Sequence, residues 1–112
     1  MGEHSPIPQT EHRRVPRHPF TAPAVVTSAQ TERILCAFTH ELSQFGCLVQ
    51  TATPFEQGTH ISLGIVYSGA SFKAFGRVAY VTHEGMGIVF STVETNQRDI
   101  LGKWLKESSD AA

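Results

Sequence analysis

The sequence predicts an all-β fold with a terminal helix: a small six-stranded antiparallel β-barrel followed by a C-terminal α-helix. Three observations lead there. From Phe20 to Thr92, short runs rich in Val, Ile, Phe, Thr and Tyr recur, separated by turn residues. Their short, even spacing argues for an antiparallel sandwich or barrel, and closure into a barrel removes exposed edges. Beyond Thr92 the apolar pattern changes to a helical period.

Residues 1–19 stand apart from this pattern. They hold Pro6, Pro8, Pro16 and Pro19 and few large apolar residues. Proline fixes φ and offers no backbone donor, so neither a helix nor a central strand runs here. A flexible N-terminal arm is expected, with one dense feature, the basic run Arg13, Arg14 and Arg17 flanked by His12 and His18. Strands are expected at 20–28, 33–40 and 45–53, the last ended by Pro54. A fourth, 60–67, follows the Gln57-Gly58 turn signal. The fifth, 71–83, is long and contains Gly76, which marks a bulge or tight bend. The sixth, 86–92, follows Glu84-Gly85.

In the tail, Ile100, Leu101, Trp104 and Leu105 fall on one helical face, opposite Lys103 and Lys106. A helix over about 95–107 is expected, capped by Thr95 or Asn96 and covering the barrel core, with 108–112 as a disordered tail. The domain therefore spans 20–107. The sequence carries no evident internal repeat.

Composition narrows the function. The 112 residues fit one domain. Lys and Arg number 9 against 10 Asp and Glu, which excludes a broadly basic binder of nucleic acid polymers. With 40% apolar and 17% charged residues, the chain can bury a core. No window resembles a membrane span or a secretory signal, so a cytoplasmic location is expected. Cys36 and Cys47 make no disulfide framework and read as small buried hydrophobes.

Enzyme signatures are missing: there is no nucleophile elbow, P-loop or dinucleotide fingerprint. The six histidines are scattered without metal-ligand spacing, so no metal or cofactor is expected. A Cys47–His40 nucleophile pair is a remote alternative. The exposed basic groove interleaved with aromatics that single-stranded nucleic acid requires is not evident either.

Two motifs remain. Arg13-Arg14-Val15-Pro16-Arg17 lies in the arm, and Glu41-Leu42-Ser43-Gln44-Phe45-Gly46 opens the third strand. Each is weak alone. In this order, followed by the Gly76-Arg77-Val78 and Gly87-Ile88-Val89-Phe90 strands and the terminal helix, the chain resembles the PilZ domain family from residue 13 to about 106. The family's R-x-x-x-R matches Arg13 and Arg17, with Arg14 as an extra basic residue. Its [DN]-x-S-x-x-G matches Ser43 and Gly46, with Glu41 standing where the family has Asp or Asn. The resemblance implies a six-stranded barrel with a C-terminal helix and a non-enzymatic bacterial receptor for cyclic di-GMP.

The residue types suit that ligand. Arginine is planar, permanently charged and forked, and fits phosphate oxygens and the O6/N7 edge of guanine. A carboxylate such as Glu41 accepts from guanine N1–H and N2–H₂. Ser43 is expected to offer its hydroxyl and N–H to a phosphate, and Gly46 to let the backbone approach the ligand. The implied ligand set is Arg13, Arg14, Arg17, Glu41, Ser43 and Gly46, with the signal passed to an unidentified output protein. The alternative is a degenerate PilZ-like barrel that binds no nucleotide and acts by protein–protein interaction.

Overall fold

In a computed structural model, which describes residues 17–111, the elements follow in chain order: β1 His18–Pro19, β2 Pro23–Ser28, β3 Ile34–Leu42, β4 Gly46–Gln50, β5 His60–Tyr67, β6 Ala70–Val81, β7 Gly85–Thr92 and α1 Thr95–Ala111. All strand pairs are antiparallel, and the sheet runs β1-β3-β2-β5-β6-β7-β4. A further β3–β4 pairing closes β2 to β7 into a six-stranded barrel. β3 makes closure possible by pairing along both of its edges. Ile34–Phe38 pair with β2, while Phe38–Leu42 pair with β4.

Alternation puts the apolar set inside. Ala24, Val26, Val49, Ile61, Leu63, Ile65, Phe72, Ala74, Val78, Met86 and Ile88 fill the barrel. α1 covers one side of it. Leu101 and Trp104 are buried, with Ile100 and Leu105 packed beside them and Lys103 and Lys106 outward. Trp104 stacks on Phe20 at 5.5 Å and meets Tyr67 edge-on at 5.6 Å, so the chain entering the barrel and the helix leaving it share one aromatic cluster.

Gly76 sits at a bulge, as its place in a long strand predicts: the register between β6 and β7 shifts between Phe75 and Gly76. Boundaries differ from expectation at several strand ends, β4 stopping at Gln50 and β3 running on to Leu42, and at the arm and the helix. The arm does not run to residue 19, because His18 and Pro19 pair with Leu42 and Glu41 of β3. This is an edge pairing, where proline's missing donor is tolerated. The helix backbone continues past 107 to Ala111. Glu94, not Thr95 or Asn96, precedes the first turn, and its carbonyl accepts from Gln97 N–H and Arg98 N–H, both at 2.9 Å. The Gln97 side chain ties that turn to β6 by accepting from Lys73 N–H at 2.7 Å. Arg13, Arg14 and the rest of residues 1–16 lie outside the described residues.

Candidate functional site

Two bulges build the site. On β3, Thr39 faces Val49 and Glu41 faces Leu48, so His40 is an extra residue. Thr39 is buried, and simple alternation would turn Glu41 inward as well. The bulge reverses the phase: Leu42 enters the core and Glu41 turns outward, half-buried. On β6, Val78 faces Ile88 and Tyr80 faces Gly87, so Ala79 is extra. Val78 is buried and Tyr80 turns outward in the same way.

The registers join the two ends. Tyr80 pairs with Gly87, Gly87 with Leu48, and Leu48 with Glu41. One outward row thus crosses β6, β7, β4 and β3. Gly87 is its lowest point, because a Cβ there would overlap Cε2 and Cζ of the Tyr80 ring. The result is a groove with about 620 Å³ of empty space, part of it open to solvent. Arg17, Glu41, Ser43, Phe45, Gly46, Leu48 and Tyr80 are among its lining residues.

Arg17 is exposed at the groove and leads directly into β1, whose Pro19 pairs with Glu41. Among the described residues, no ion pair within 4 Å joins Arg17 to Glu41. The groove therefore presents an exposed guanidinium and a half-buried carboxylate that are not engaged with each other.

Ser43 and Gly46 are both engaged in the turn itself. Ser43 N–H donates to Gly46 O at 2.9 Å, and Ser43 Oγ accepts from Phe45 N–H and Gly46 N–H, each at 3.2 Å. The N–H expected to meet a phosphate is already committed to the turn. Gly46 does not need a positive φ; a Cβ would overlap the carbonyl oxygen of Ile88 on β7. Glycine is required there for strand-to-strand approach.

The same turn occurs again. Thr82 N–H donates to Gly85 O at 2.8 Å, and Thr82 Oγ1 accepts from Glu84 N–H and Gly85 N–H at 3.1 Å. A Cβ on Gly85 would overlap Val49 O on β4. Counting back, Tyr80-x-Thr82-x-x-Gly85 copies Glu41-x-Ser43-x-x-Gly46, bulge included. This short structural repeat overturns the expectation of none, and it places Glu41 and Tyr80 in equivalent positions.

Other chemistry finds no support. Burial pushes the Cys47 thiol up to about 12, while His40 is the exposed bulge residue, so the two do not form an activated pair. Cys36 is exposed, contrary to its reading as a buried hydrophobe. Among the described residues, no group of three or more His, Cys, Asp or Glu is placed to hold a metal ion. None of their helices is long and apolar enough to cross a membrane.

Comparison with known proteins supplies the frame for this groove. The PilZ domain family matches residues 11–107. No curated protein matches the chain. Among solved structures, the PilZ domain of CeSA from a cellulose-synthesizing bacterium is similar with a TM-score of 0.68 and 20% identity, over 80% of this chain and 93% of that one. The inhibitor of motility MotI/DgrA of Bacillus subtilis is similar with a TM-score of 0.69 and 14% identity, over 82% of this chain. The match spans 48% of the MotI/DgrA chain. At these identities the likeness establishes the fold.

Proposed function

The chain belongs to the PilZ domain family, and from that premise we propose that it is a cyclic di-GMP receptor that relays the level of this second messenger to a partner protein. One observation carries the reading: a single groove gathers Arg17, Glu41, Ser43 and Gly46, the described residues that the family's two motifs mark. Arg17 supplies a fork for phosphate oxygens or the O6/N7 edge of guanine. Arg13 adds a second fork and Arg14 a further cation. Glu41 accepts from guanine N1–H and N2–H₂. Tyr80, unmarked by either motif, offers a ring on which a base can stack above the shelf that Gly87 leaves. Ser43 and Gly46 serve by fixing the turn that follows Glu41. The protein is read as a binding module and not an enzyme.

A second reading, a barrel that acts by protein contact alone, draws on two features. Glu41 replaces the family's Asp or Asn, and the Ser43–Gly46 turn is self-sufficient without ligand. Calorimetric titration with cyclic di-GMP separates the two. The receptor reading requires binding by the natural chain that weakens in Arg17→Ala and in Tyr80→Ala. Absence of binding at high micromolar ligand, regained by Glu41→Asp, supports the second.

A further inference from the structure

The two hairpins match beyond their turns. Residues 39–51 correspond one for one to 78–90, with bulges and turn bonds in the same places. Phe90 N–H donates to Phe45 O at 2.8 Å, and its counterpart Thr51 N–H donates to Glu84 O at 3.0 Å. Leu48 and Gly87 are counterparts and also pair with each other, so the approximate two-fold axis passes between them. That is the middle of the row that crosses the groove. The groove is thus built on a two-fold frame, the symmetry of a cyclic dinucleotide with identical halves.

The side chains break that symmetry. Glu41 at one end is answered by Tyr80 at the other, and Leu48 by Gly87. β1 pairs with Glu41 and Leu42 along the edge of β3 away from β4, which brings Arg17 to the Glu41 end. The counterpart edge, at Tyr80 and Val81, pairs with no strand among the described residues. Both charged side chains that line the groove, Arg17 and Glu41, therefore belong to one end. Ser43 at that end is committed to its turn. The other end offers the Tyr80 ring, its hydroxyl and the open shelf over Gly87.

Resting on the receptor reading, we propose that the groove reads the edge of one base only and holds the other by its face. Its ligands are then cyclic dinucleotides with one obligatory guanine and a second purine of either kind. The single carboxylate of Glu41 accepts from one N1–H and N2–H₂ pair. Adenine presents an acceptor at N1 and has no N2 amine, so it leaves that carboxylate without donors. A ring face makes no such distinction, because every base has a π-face. The Tyr80 hydroxyl both donates and accepts, so it serves guanine O6 and the adenine N6 amine equally. The two-fold frame also fixes what a mixed ligand loses. Cyclic di-GMP enters in two equivalent orientations and hybrid cyclic GMP-AMP in one, a factor of about two in affinity.

Calorimetric titration of the full chain with cyclic di-GMP, hybrid cyclic GMP-AMP of the same backbone linkage and cyclic di-AMP tests this. The hybrid should bind within about fivefold of cyclic di-GMP, the orientation factor plus a small difference in stacking. Cyclic di-AMP should bind roughly 10- to 100-fold more weakly than cyclic di-GMP, the scale of one edge read by hydrogen bonds. Tyr80→Ala should weaken cyclic di-GMP and the hybrid alike, by roughly 5- to 150-fold, and leave their ratio unchanged. Glu41→Ala should narrow the gap between cyclic di-GMP and cyclic di-AMP. A hybrid that loses more than about fivefold while cyclic di-GMP binds overturns the proposal and leaves the receptor reading standing, since a second edge is then read. Equal binding of all three ligands overturns it because no edge is read. A Tyr80→Ala variant that changes the ratio, or a gap that Glu41→Ala leaves intact, overturns the assignment of edge and face. Failure of cyclic di-GMP itself to bind overturns both readings.

Discussion

Glu41 and Tyr80 occupy equivalent positions in two copies of one hairpin. Each follows a bulge, each stands two residues before the Ser or Thr of an identical turn, and each faces outward at opposite ends of the row through Leu48 and Gly87. The antiparallel β4–β7 pair relates them by an approximate two-fold. A carboxylate and an aromatic ring therefore flank one groove, and the proposed function assigns them the edge and the face of a base. The turn glycines allow close strand approach, while the outward residues are the ones the proposed function assigns to the ligand.

That division makes Gly46 and Gly85 matched controls. Gly46→Ala and Gly85→Ala should each destabilise the fold by about 1–3 kcal/mol or more, because a backbone carbonyl cannot swing aside. Urea denaturation of both variants checks this. A stable Gly46→Ala that loses only ligand would return Gly46 to a direct role in binding.

Gly87→Ala should behave differently. Its Cβ meets the far end of the Tyr80 side chain, which is half-exposed and free to move. Stability should fall by about 1 kcal/mol or less, the range of a strained but adjustable contact. Cyclic di-GMP affinity should fall as the ring is displaced, and Tyr80→Ala should cost roughly 1–3 kcal/mol of binding. Urea midpoints and calorimetry on the same two proteins separate the effects.

For Glu41, the expectation is weakened but retained binding in the natural protein. Glutamate keeps the acceptor pair of the family's aspartate but holds it one bond further out, with one more rotor to freeze at about 0.5 kcal/mol. Glu41→Asp should bind equally or more tightly, and Glu41→Ala should lose roughly 1–3 kcal/mol. Tighter binding by Glu41→Ala than by the natural chain would show that the carboxylate opposes the ligand.

Cys47 gives a pH signature. Its thiol titrates near 9.0 when solvated and near 12 in the fold. Between those values the unfolded chain gives up the proton first, so the native state loses stability as pH rises. The slope reaches about 1.4 kcal/mol per pH unit. Urea midpoints at pH 8 and pH 10 should diverge in the natural protein and less so in Cys47→Ala. Equal slopes would mean that the thiol is solvated in the fold.

Much of this architecture was legible in the sequence because β-alternation and the helical stripe of Leu101 and Trp104 are strong local signals. The strand Gly76 likewise announced its bulge. The bulges at His40 and Ala79 were not legible, since no glycine marks them and only the partner's register reveals the extra residue. Without them Tyr80 reads as one more strand aromatic, and its place on the groove is missed. Cys36 reads as a small buried hydrophobe, yet strand phase turns it outward, as it does Phe38 and Phe75. The Ser43 and Gly46 motif was visible, but the close approach of Gly46 to β7 depends on a strand some forty residues away.

The most direct test of the central claim is calorimetric titration of the full-length chain with cyclic di-GMP, beside Arg13→Ala/Arg17→Ala. Each arginine is expected to contribute roughly 2–4 kcal/mol through charge-assisted contacts, and Arg14 about 1 kcal/mol or less. The account predicts saturable binding by the natural protein that the double variant abolishes while keeping its melting temperature. No binding by the natural chain and none by Glu41→Asp at high micromolar ligand would contradict it.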